Sequence, residues 1–376
     1  MRFSIQREDF LKPLRAVAGV VERHRQTPVN PILGHVLIRV QNQRLSLIAT
    51  DQEIELFATA ALKEPVGVEG ETTVSIRKLL DICVALPEAQ ILSFSAEAGR
   101  CVICAGRSRL TLSTLAAAEF PALTEHVGEL HFSISKTKLR TLIAQTEFAM
   151  AERDVRAYLN GMLWEIKAQT LYQVAADGHR LAFAFAAIDV EPGQAIRVLV
   201  PRKAIVGLQR TLLQRSEDPA EELIRISLGT QHIQLETAET RLSAGLLESN
   251  FPDFFRIVNN VGDKVLLISR DQLKESLQRA AALLGDRSSG VSFGLSEGAL
   301  KILARNAEQD EIEDDLVVDY KGEDLVISFN IKYLMDFLNV LSTSMLRFSF
   351  SDANSSAHLV GVGESNAAYV IMPMSI

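Results

Sequence analysis

The chain has few cysteines and no long apolar run, and both shortages exclude classes of protein. Only three of its 376 residues are Cys, too few and odd in number for a disulfide framework, which predicts a reduced protein. No run of about 18 apolar residues occurs, which argues against a membrane-spanning helix. The N-terminus has no apolar signal core, so we expect a cytoplasmic protein.

Motifs for nucleotide hydrolysis and for nucleophilic catalysis are also missing. No Gly-rich loop ends in Lys followed by Ser or Thr, and GRSRL at 106–110 is not the Gly-x-Ser-x-Gly turn of hydrolases. The seven His residues are scattered and never stand at metal-ligand spacing. We therefore expect no catalytic residue, no metal and no cofactor, in a protein that is not an enzyme.

Two short clusters nevertheless look like chemical sites. Cys101 and Cys104 have the spacing of a metal or redox pair, but residues three apart in a strand point to opposite faces. No second Cys or His pair accompanies them, so two buried core cysteines are favoured. DGHR at 177–180 combines a carboxylate, an imidazole and a guanidinium. Because Asp-Gly is a favoured hairpin pair, we favour a tight turn bordering a recognition surface, with a hydrolase site as the alternative.

The charge of the chain is unevenly distributed. The net charge of −8 argues against a conventional nucleic-acid grip, in which basic groups neutralise phosphates. Acid concentrates in EQDEIEDD at 308–315. Base concentrates on predicted helices and the loops that join them, at Lys12, Arg15, Arg23, Arg25, Arg77, Lys78, Lys136, Lys138, Arg140, Arg202, Lys203, Arg210, Arg215, Arg270, Lys274, Arg279 and Lys332. An acidic body with basic helix faces is compatible with a polyanion held on one surface.

A strand-then-helix pattern occurs three times, at a spacing of roughly 130 residues that suits tandem domains. The three openings are FSIQREDFL at 3–11, FSISKTKL at 132–139 and LLISRDQL at 266–273. Matching strand ends follow as LSLIATD at 45–51, LYQVAAD at 171–177 and LKILARN at 300–306. We predict three domains, at residues 1–125, 126–258 and 259–376.

A finer repeat lies inside each domain. TVSIRKLLDI at 73–82, RVLVPRKAI at 197–205 and LVISFNIKYL at 325–334 again indicate a strand and then a helix. Each domain therefore resembles two copies of one unit, and a chain of six similar wedges tends to curve and close. The predicted fold class is α+β, with two helices packed on one side of about eight antiparallel strands in each domain.

Local patterns predict particular elements. Apolar residues at helical spacing predict helices near 8–21, 136–150 and 271–284. Strands at 36–40 and 45–49 enclose a hairpin turn at 41–44. The apolar tail AAYVIMPMSI at 367–376 fits a last core strand, and its two Met residues around a Pro also fit an adaptable surface for several partners.

A charged strand is predicted at 107–112, in which Arg107 and Arg109 share one strand, in alternation, with the apolar Leu110 and Leu112. Such a strand is often a solvated edge, because charge discourages pairing. The acidic stretch 308–315 favours a second interpretation. Opposite charges at the two ends of a repeat protein permit head-to-tail association, and rotation then closes a ring.

Motifs along essentially the full chain resemble those of the bacterial DNA polymerase III β-subunit family, the β sliding clamps. In family order they are PILG at 31–34, ATD at 49–51, GRSR at 106–109, FPAL at 120–123, DVRAYLNG at 154–161, DGHRLA at 177–182, VPRK at 200–203, FPD at 251–253 and YVIMPM at 369–374. The resemblance implies a homodimeric ring of six similar domains of the DNA-clamp fold, with helices lining the hole and sheets outside. Duplex DNA would thread through it without sequence reading.

The resemblance also implies partners and sites. The partners are double-stranded DNA, a second copy, an ATP-driven clamp loader, the replicative polymerase α subunit, and other polymerases or repair proteins that bind through short peptides. The implied DNA contacts are Arg23, His24, Arg25, Arg77, Arg153, Ala157, Tyr158, Arg202 and Lys203. The implied peptide pocket comprises Arg156, Leu159, Ala176, Gly178, His179, Arg180, Leu181, Pro252, Arg256, Ile257, Val370, Met372, Pro373 and Met374. The implied dimer seam pairs Arg107, Arg109, Leu110 and Leu112 with Leu283, Leu284, Glu308, Asp310, Glu311 and Glu313. An oligomeric scaffold that binds peptides but no DNA is the alternative from another class.

Overall fold

A computed structural model describes residues 1–20, 30–97, 99–121, 128–190, 195–214, 222–285 and 290–375. The predicted DNA contacts Arg23, His24 and Arg25 lie outside these described residues. Within them, no helix is both long and apolar enough to cross a membrane.

Helices and strands follow the threefold pattern of the sequence. The first third contains α1 (Arg7–Ala18), α2 (Ile76–Ala85), β1 (Arg2–Gln6), β2 (His35–Gln41), β3 (Arg44–Thr50), β4 (Ile54–Ala61), β5 (Gly70–Ser75), β6 (Ile91–Glu97), β7 (Arg100–Ala105) and β8 (Ser108–Ser113). The middle third contains α3 (Lys136–Ala144), α4 (Arg202–Arg210), α5 (Phe255–Val258), β9 (Leu130–Ser135), β10 (Gly161–Lys167), β11 (Thr170–Ala176), β12 (Arg180–Ala187), β13 (Ile196–Pro201), β14 (Leu223–Leu228), β15 (His232–Glu236) and β16 (Thr240–Gly245). The last third contains α6 (Arg270–Leu284), α7 (Ile331–Val340), β17 (Lys264–Ser269), β18 (Gly290–Ser296), β19 (Ala299–Arg305), β20 (Glu311–Val317), β21 (Asp319–Tyr320), β22 (Leu325–Asn330), β23 (Met345–Phe350), β24 (Ala357–Gly361) and β25 (Ala367–Ile371). Single 3₁₀ turns lie at Pro31–Gly34, Ala117–Glu119, Glu147–Ala149 and Ala157–Asn160.

The described strands form four antiparallel sheets, two of which run from one third of the chain into the next. The smaller sheets have the strand orders β1-β6-β7-β8 and β20-β19-β18-β22. The larger ones have the orders β5-β2-β3-β4-β16-β15-β14-β9 and β13-β10-β11-β12-β25-β24-β23-β17-β21. The pairings β4–β16 and β12–β25 place Leu56 opposite Leu242 and Leu181 opposite Val370. Backbone hydrogen bonds therefore join consecutive repeats.

Because the large sheets are continuous, the chain separates into two compact units rather than at the repeat boundaries. One unit is Met1–Arg140 with Lys203–Leu246, and the other is Thr141–Arg202 with Leu247–Ile376. The division cuts the middle repeat, leaving β9 and β14 to β16 in the first unit and β10 to β13 in the second. The predicted domain limits of 1–125, 126–258 and 259–376 stay predictions.

Helix α1 shows how the apolar pattern builds each layer. Phe10, Leu11, Leu14 and Val17 recur at helical spacing and are all buried, so one face of the helix covers β3 and β4 while its edge packs on α2. Burying one such Leu or Phe side chain contributes about 1.5–3 kcal/mol relative to leaving it exposed. The helix predicted at 8–21 is confirmed as far as Ala18 and begins one residue earlier, but Gly19 and Val20 form a turn, so the prediction is too long at its end.

The helix predicted at 136–150 is too long. Helix α3 ends at Ala144, and Glu147–Ala149 form only one 3₁₀ turn. The hydroxyl of Thr146 donates to the carbonyl of Leu142 at 2.9 Å, which satisfies one of the last free carbonyls and ends the helix. In contrast, α6 confirms the 271–284 prediction, beginning one residue earlier.

The predicted hairpin and cysteine strand also have clear outcomes. Asn42 and Gln43 join β2 to β3 with φ angles of 51° and 58°, the left-handed pair that a two-residue hairpin turn requires. Cys101 is fully buried in β7, as predicted. The prediction is wrong for Cys104, which faces the other side of that strand and is only half-buried.

Candidate peptide pocket, basic helices and strand edges

The DGHR cluster is a tight turn between β11 and β12, as predicted, whereas its place beside a recognition surface stays a prediction. The Asp177 carboxylate accepts hydrogen bonds from the backbone N–H groups of His179 at 2.9 Å and Arg180 at 3.0 Å. Gly178 has a φ of +91°, a conformation that favours glycine. The Asp177 carboxylate therefore builds the turn, Gly178 adopts its left-handed backbone readily, and the His179 side chain is exposed beside them.

Apolar members of the predicted pocket belong to one buried cluster. Four of them are each at most 9% exposed: Leu159, Ala176, Leu181 and Val370. The same cluster includes buried residues of β10, β11 and the 251–258 segment. Leu181 and Val370 lie opposite each other in the register of β12 and β25. These four predicted pocket residues therefore share one hydrophobic core.

Two other predicted pocket residues are exposed apolar side chains close in sequence to members of this core. Ile257 is 42% exposed and Met372 is 51% exposed, whereas Pro252 and Arg256 are exposed on the same segment as Ile257. The backbone N–H of Met372 donates to the carbonyl of His179 at 2.8 Å, which fixes the tail beside the turn. Half-buried Pro373 and Met374 follow it, and the Met374 N–H donates to the carbonyl of Ser328 at 2.8 Å.

Arg156 is held in place at the exposed rim. Its Nε and Nη2 atoms donate to the two oxygens of Asp154 at 3.0 and 2.9 Å, the forked geometry that favours Arg over Lys. These hydrogen bonds from Arg156 lower the pKa of Asp154 to about 2, so the carboxylate stays charged at neutral pH. A Cβ atom on Gly178 would lie 2.6 Å from Arg156 Nη2, so the guanidinium lies directly against the glycine.

Arg180 has a different environment from the other predicted pocket residues. Its side chain is 11% exposed, and its Nη1 atom donates to Asp336 of α7 at 2.6 Å. The ring of Tyr333, also on α7, stacks near His179 with centroids 6.4 Å apart. Sequence reasoning missed Tyr333 and Asp336. The available signal was their spacing of three, which places both on one face of a predicted helix.

The described DNA-contact candidates fall into two groups. Arg153, with a φ of +61°, is exposed in the loop before the 3₁₀ turn Ala157–Asn160, and Ala157 is exposed at the start of that turn. Half-buried Tyr158 packs edge-on against Phe251, with ring centroids 5.9 Å apart. Arg202 joins this group because its Nη1 donates to the carbonyl of Met150 at 3.2 Å.

Arg77 and Lys203 form the second group, on α2 and α4. Arg77 is exposed in the first turn of α2. The Lys203 ammonium forms ion pairs with Asp51 and with Glu53, the latter at 3.0 Å. Burial lowers the pKa of Lys203, but its hydrogen bonds to the two carboxylates outweigh that effect and raise the pKa. Lys203 is therefore a charged group that is already partly neutralised.

The helices carry a charge opposite to that of the whole chain. The described members of the predicted basic set all lie on α1, α2, α3, α4, α6 and α7. These six helices contain fifteen Lys and Arg residues against six Asp and Glu residues, whereas the chain has a net charge of −8. The predicted separation of basic helices from an acidic remainder is confirmed.

The predicted seam residues occupy the edges of the two small sheets. Among the described strands, β8 pairs only with β7 and β20 pairs only with β19, so each has a free hydrogen-bonding edge. Arg109 is exposed in β8, with Leu110 and Leu112 half-buried on its other face. Arg107 lies in the preceding turn rather than in the strand, since β8 begins at Ser108.

The β20 edge is acidic, and its charges have internal partners. Glu313 pairs with Lys301 of β19, and Glu311 pairs with Arg305 of the same strand. Glu308 and Asp310 lie in the preceding turn, where their N–H groups donate to the side chain of Asn306 at 3.0 and 2.8 Å. Leu283 is half-buried and Leu284 buried at the end of α6.

The part of the chain that the structure describes contains no group of three His, Cys, Asp or Glu side chains able to hold a metal ion. Its recognisable sites are an apolar surface beside a tight turn, a set of basic helices, and two strand edges of opposite charge. Features of these three kinds are common on surfaces that bind partners.

Three similar domains joined edge to edge define a clamp fold, and comparisons with known proteins agree. Family models of the DNA polymerase III beta subunit match the chain in three places. The N-terminal domain model matches residues 1–124, the central domain model residues 133–253 and the C-terminal domain model residues 256–375. The chain therefore belongs to the DNA polymerase III β-subunit family, the sliding clamps, whose members are not the catalytic subunit.

Individual relatives match over their full length. The chain is 45% identical over 376 residues to the beta sliding clamp of Pseudomonas putida, with 100% of both chains covered. The structure of DNA polymerase III subunit beta from Pseudomonas aeruginosa matches with a TM-score of 0.93 at 44% identity, covering 100% of both chains. A sliding clamp from the same species bound to griselimycin matches with a TM-score of 0.93 at 45% identity, again covering 100% of both.

Proposed function

We propose that two copies of this chain close into a ring around duplex DNA and tether the replicative polymerase to it. The observation that carries this proposal is the charge separation between basic helices and an acidic remainder. If the helices line the bore, their Lys and Arg residues contact phosphates without reading sequence. Weak phosphate contacts let the ring slide, while the closed topology supplies retention that affinity would otherwise provide.

Two strand edges support ring closure. An unpaired edge is a template for pairing with another chain, and β8 carries Arg109 where β20 carries Glu311 and Glu313. Pairing β8 of one copy with β20 of the other would satisfy both edges and bring the opposite charges together. A twofold arrangement repeats this contact and closes the ring. We include Leu110, Leu112, Leu283 and Leu284 as the apolar part of this seam.

The apolar surface around Leu181, Val370 and Met372 is our proposed site for partner peptides. An exposed apolar patch that continues into a buried core, with charged groups at its rim, is the usual anatomy of a peptide anchor site. Polymerases, the clamp loader and repair proteins would insert large apolar side chains there. We propose that griselimycin, which a Pseudomonas aeruginosa clamp binds, binds this same surface. We place the protein in the cytoplasm, with the DNA.

A retention experiment on circular DNA tests the ring. Clamp loaded by its ATP-driven loader onto a nicked circle should remain bound through gel filtration, and cutting the circle to a linear form should release it. If the protein is retained on neither circular nor linear DNA but still binds griselimycin, it is instead a peptide-binding scaffold. A particle of about 83 kDa, twice the 41.4 kDa chain, is expected in solution from twofold closure.

Two matched pairs of variants separate the seam from the pocket. Arg109→Glu should shift the sedimentation profile toward monomer, whereas Arg44→Glu, on an exposed position of β3, should not. Ile257→Ser should weaken griselimycin binding in titration calorimetry, whereas Val261→Ser, which changes a 52% exposed side chain in the same unit, should not. Equal behaviour within either pair would contradict the corresponding assignment.

A further inference from the structure

Each of the three side-chain nitrogens of Arg180 donates a hydrogen bond within the protein. Its Nε donates to Asp177 at 3.0 Å, its Nη1 to Asp336 at 2.6 Å and its Nη2 to the carbonyl of Phe148 at 2.5 Å. Its guanidinium carbon lies 4.3 Å from the centre of the Tyr333 ring and 5.3 Å from that of Phe148. A guanidinium held on three edges and covered by two rings cannot reach a ligand without breaking these contacts.

The contact with Asp177 connects Arg180 to the surface of the proposed pocket. Asp177 Oδ1 accepts the N–H groups of His179 and Arg180, while Oδ2 accepts the Arg180 side chain. The carbonyl of His179 in turn accepts the N–H of Met372 at 2.8 Å. A displacement of the Arg180 side chain would therefore also displace the turn at 177–179 and the tail at Met372, which border the pocket.

The other end of Arg180 is anchored on helix α7. Tyr333 and Asp336 are three residues apart and lie on one face of that helix. Tyr333 covers the guanidinium and stacks near His179, and Asp336 supplies the opposite charge. The Asp336 side chain is 41% exposed while that of Arg180 is 11% exposed, so the acid can be replaced without opening the buried core.

The turn at Asp51 in the first unit has the same backbone hydrogen bonds but no arginine, so it serves as an internal control. Asp51 Oδ1 accepts the N–H groups of Glu53 and Ile54 at 3.0 Å each, and Asp51 N–H donates to the Ile54 carbonyl at 3.3 Å. The sheet register gives Ile54 the place that Arg180 has in β12. The backbone turn therefore forms without an arginine, so the Arg180–Asp336 contact serves something other than turn formation.

We propose that Asp336 is a positioning residue of the peptide pocket, holding Arg180 so that the 177–179 turn stays against Tyr333. This inference rests on the pocket assigned above. Arg180 then shapes the rim through His179 and Met372 rather than touching the peptide. Neighbouring groups in one network couple by enough to change an equilibrium several-fold, so loss of Asp336 should weaken ligand binding by about tenfold.

A double-mutant cycle with griselimycin as the probe tests the proposal. Affinities of the full chain, Asp336→Ala, Arg180→Ala and the double variant are measured by calorimetry, with thermal melting recorded for each. The double variant should bind no more weakly than Arg180→Ala alone, and Asp336→Glu should recover part of the affinity. Asn339→Ala, an exposed position on the same helix, is the matched control and should bind like the unaltered chain.

The outcomes separate this inference from the function on which it rests. If the unaltered chain binds griselimycin and Asp336→Ala binds it equally well, Asp336 has no positioning role. If the two single losses simply add, the contact does not act through Arg180. If Asp336→Ala unfolds, Asp336→Asn, which keeps the shape and removes the charge, takes its place. If the unaltered chain binds griselimycin and Ile257→Ser binds it equally well, the pocket assignment itself fails, whatever the Asp336 variants do.

Discussion

Replacing Gly178 by Ala tests whether the position of Arg156 matters to the pocket. A Cβ at this position would lie 2.6 Å from Arg156 Nη2 and 2.9 Å from Nη1. Ordinary contact distances are about 3.5–4.0 Å, so the guanidinium must retreat by about 1 Å. That retreat removes the 3.5 Å contact from Nη2 to the carbonyl of Asp177 and moves the charge away from the rim. We expect griselimycin to bind about tenfold more weakly, or about 1.4 kcal/mol.

Gly363→Ala is the matched control, because it reproduces the backbone strain without the collision. Gly363 has a φ of +86°, close to the +91° of Gly178, and a Cβ there would meet no atom within 4 Å. Both variants should lose about 1–2 kcal/mol of unfolding free energy from the left-handed backbone, measured by urea denaturation. Only Gly178→Ala should lose affinity, and that loss should be absent when Arg156 is already Ala. Equal affinities for the two glycine variants would refute the placement of Arg156.

Three further predictions concern the interior. Burial raises the pKa of Cys83 to about 12 and that of Cys101 to about 11, so both stay protonated at pH 8, and a thiol reagent should label only half-buried Cys104 until urea is added. Burial lowers the pKa of His358 below 6.5. Below pH 6.5 the unfolded chain therefore binds a proton at His358 that the folded chain does not, so the free energy of unfolding should fall as the pH falls from 6.5. In His358→Asn, the melting temperature should change less between pH 7 and pH 5 than in the unaltered chain. Trp164 is the one Trp of the chain and is fully buried, so acrylamide should quench its fluorescence only on unfolding, and quenching of the native protein would contradict the packing of the second unit.

Local patterns in the sequence determined the elements and their repetition. The Asn42–Gln43 hairpin, the turn at Asp177 and Gly178, and the apolar face of α1 each depend on a few neighbouring residues, whose turn chemistry or periodicity can be read directly. The basic residues could be assigned to helices for the same reason. Resemblance of short motifs then supplied the family, because those motifs keep their order along the chain.

Only the tertiary structure decided which distant residues meet. The pairing of β4 with β16 and of β12 with β25 divides the chain into two units, and no local pattern specifies such long-range partners. Arg180 and Asp336 are 156 residues apart, and Glu53 pairs with Lys203 across 150 residues. An ion pair or a buried guanidinium depends on the geometry of packed elements, so its partner becomes visible only once the sheets and helices have been placed against one another.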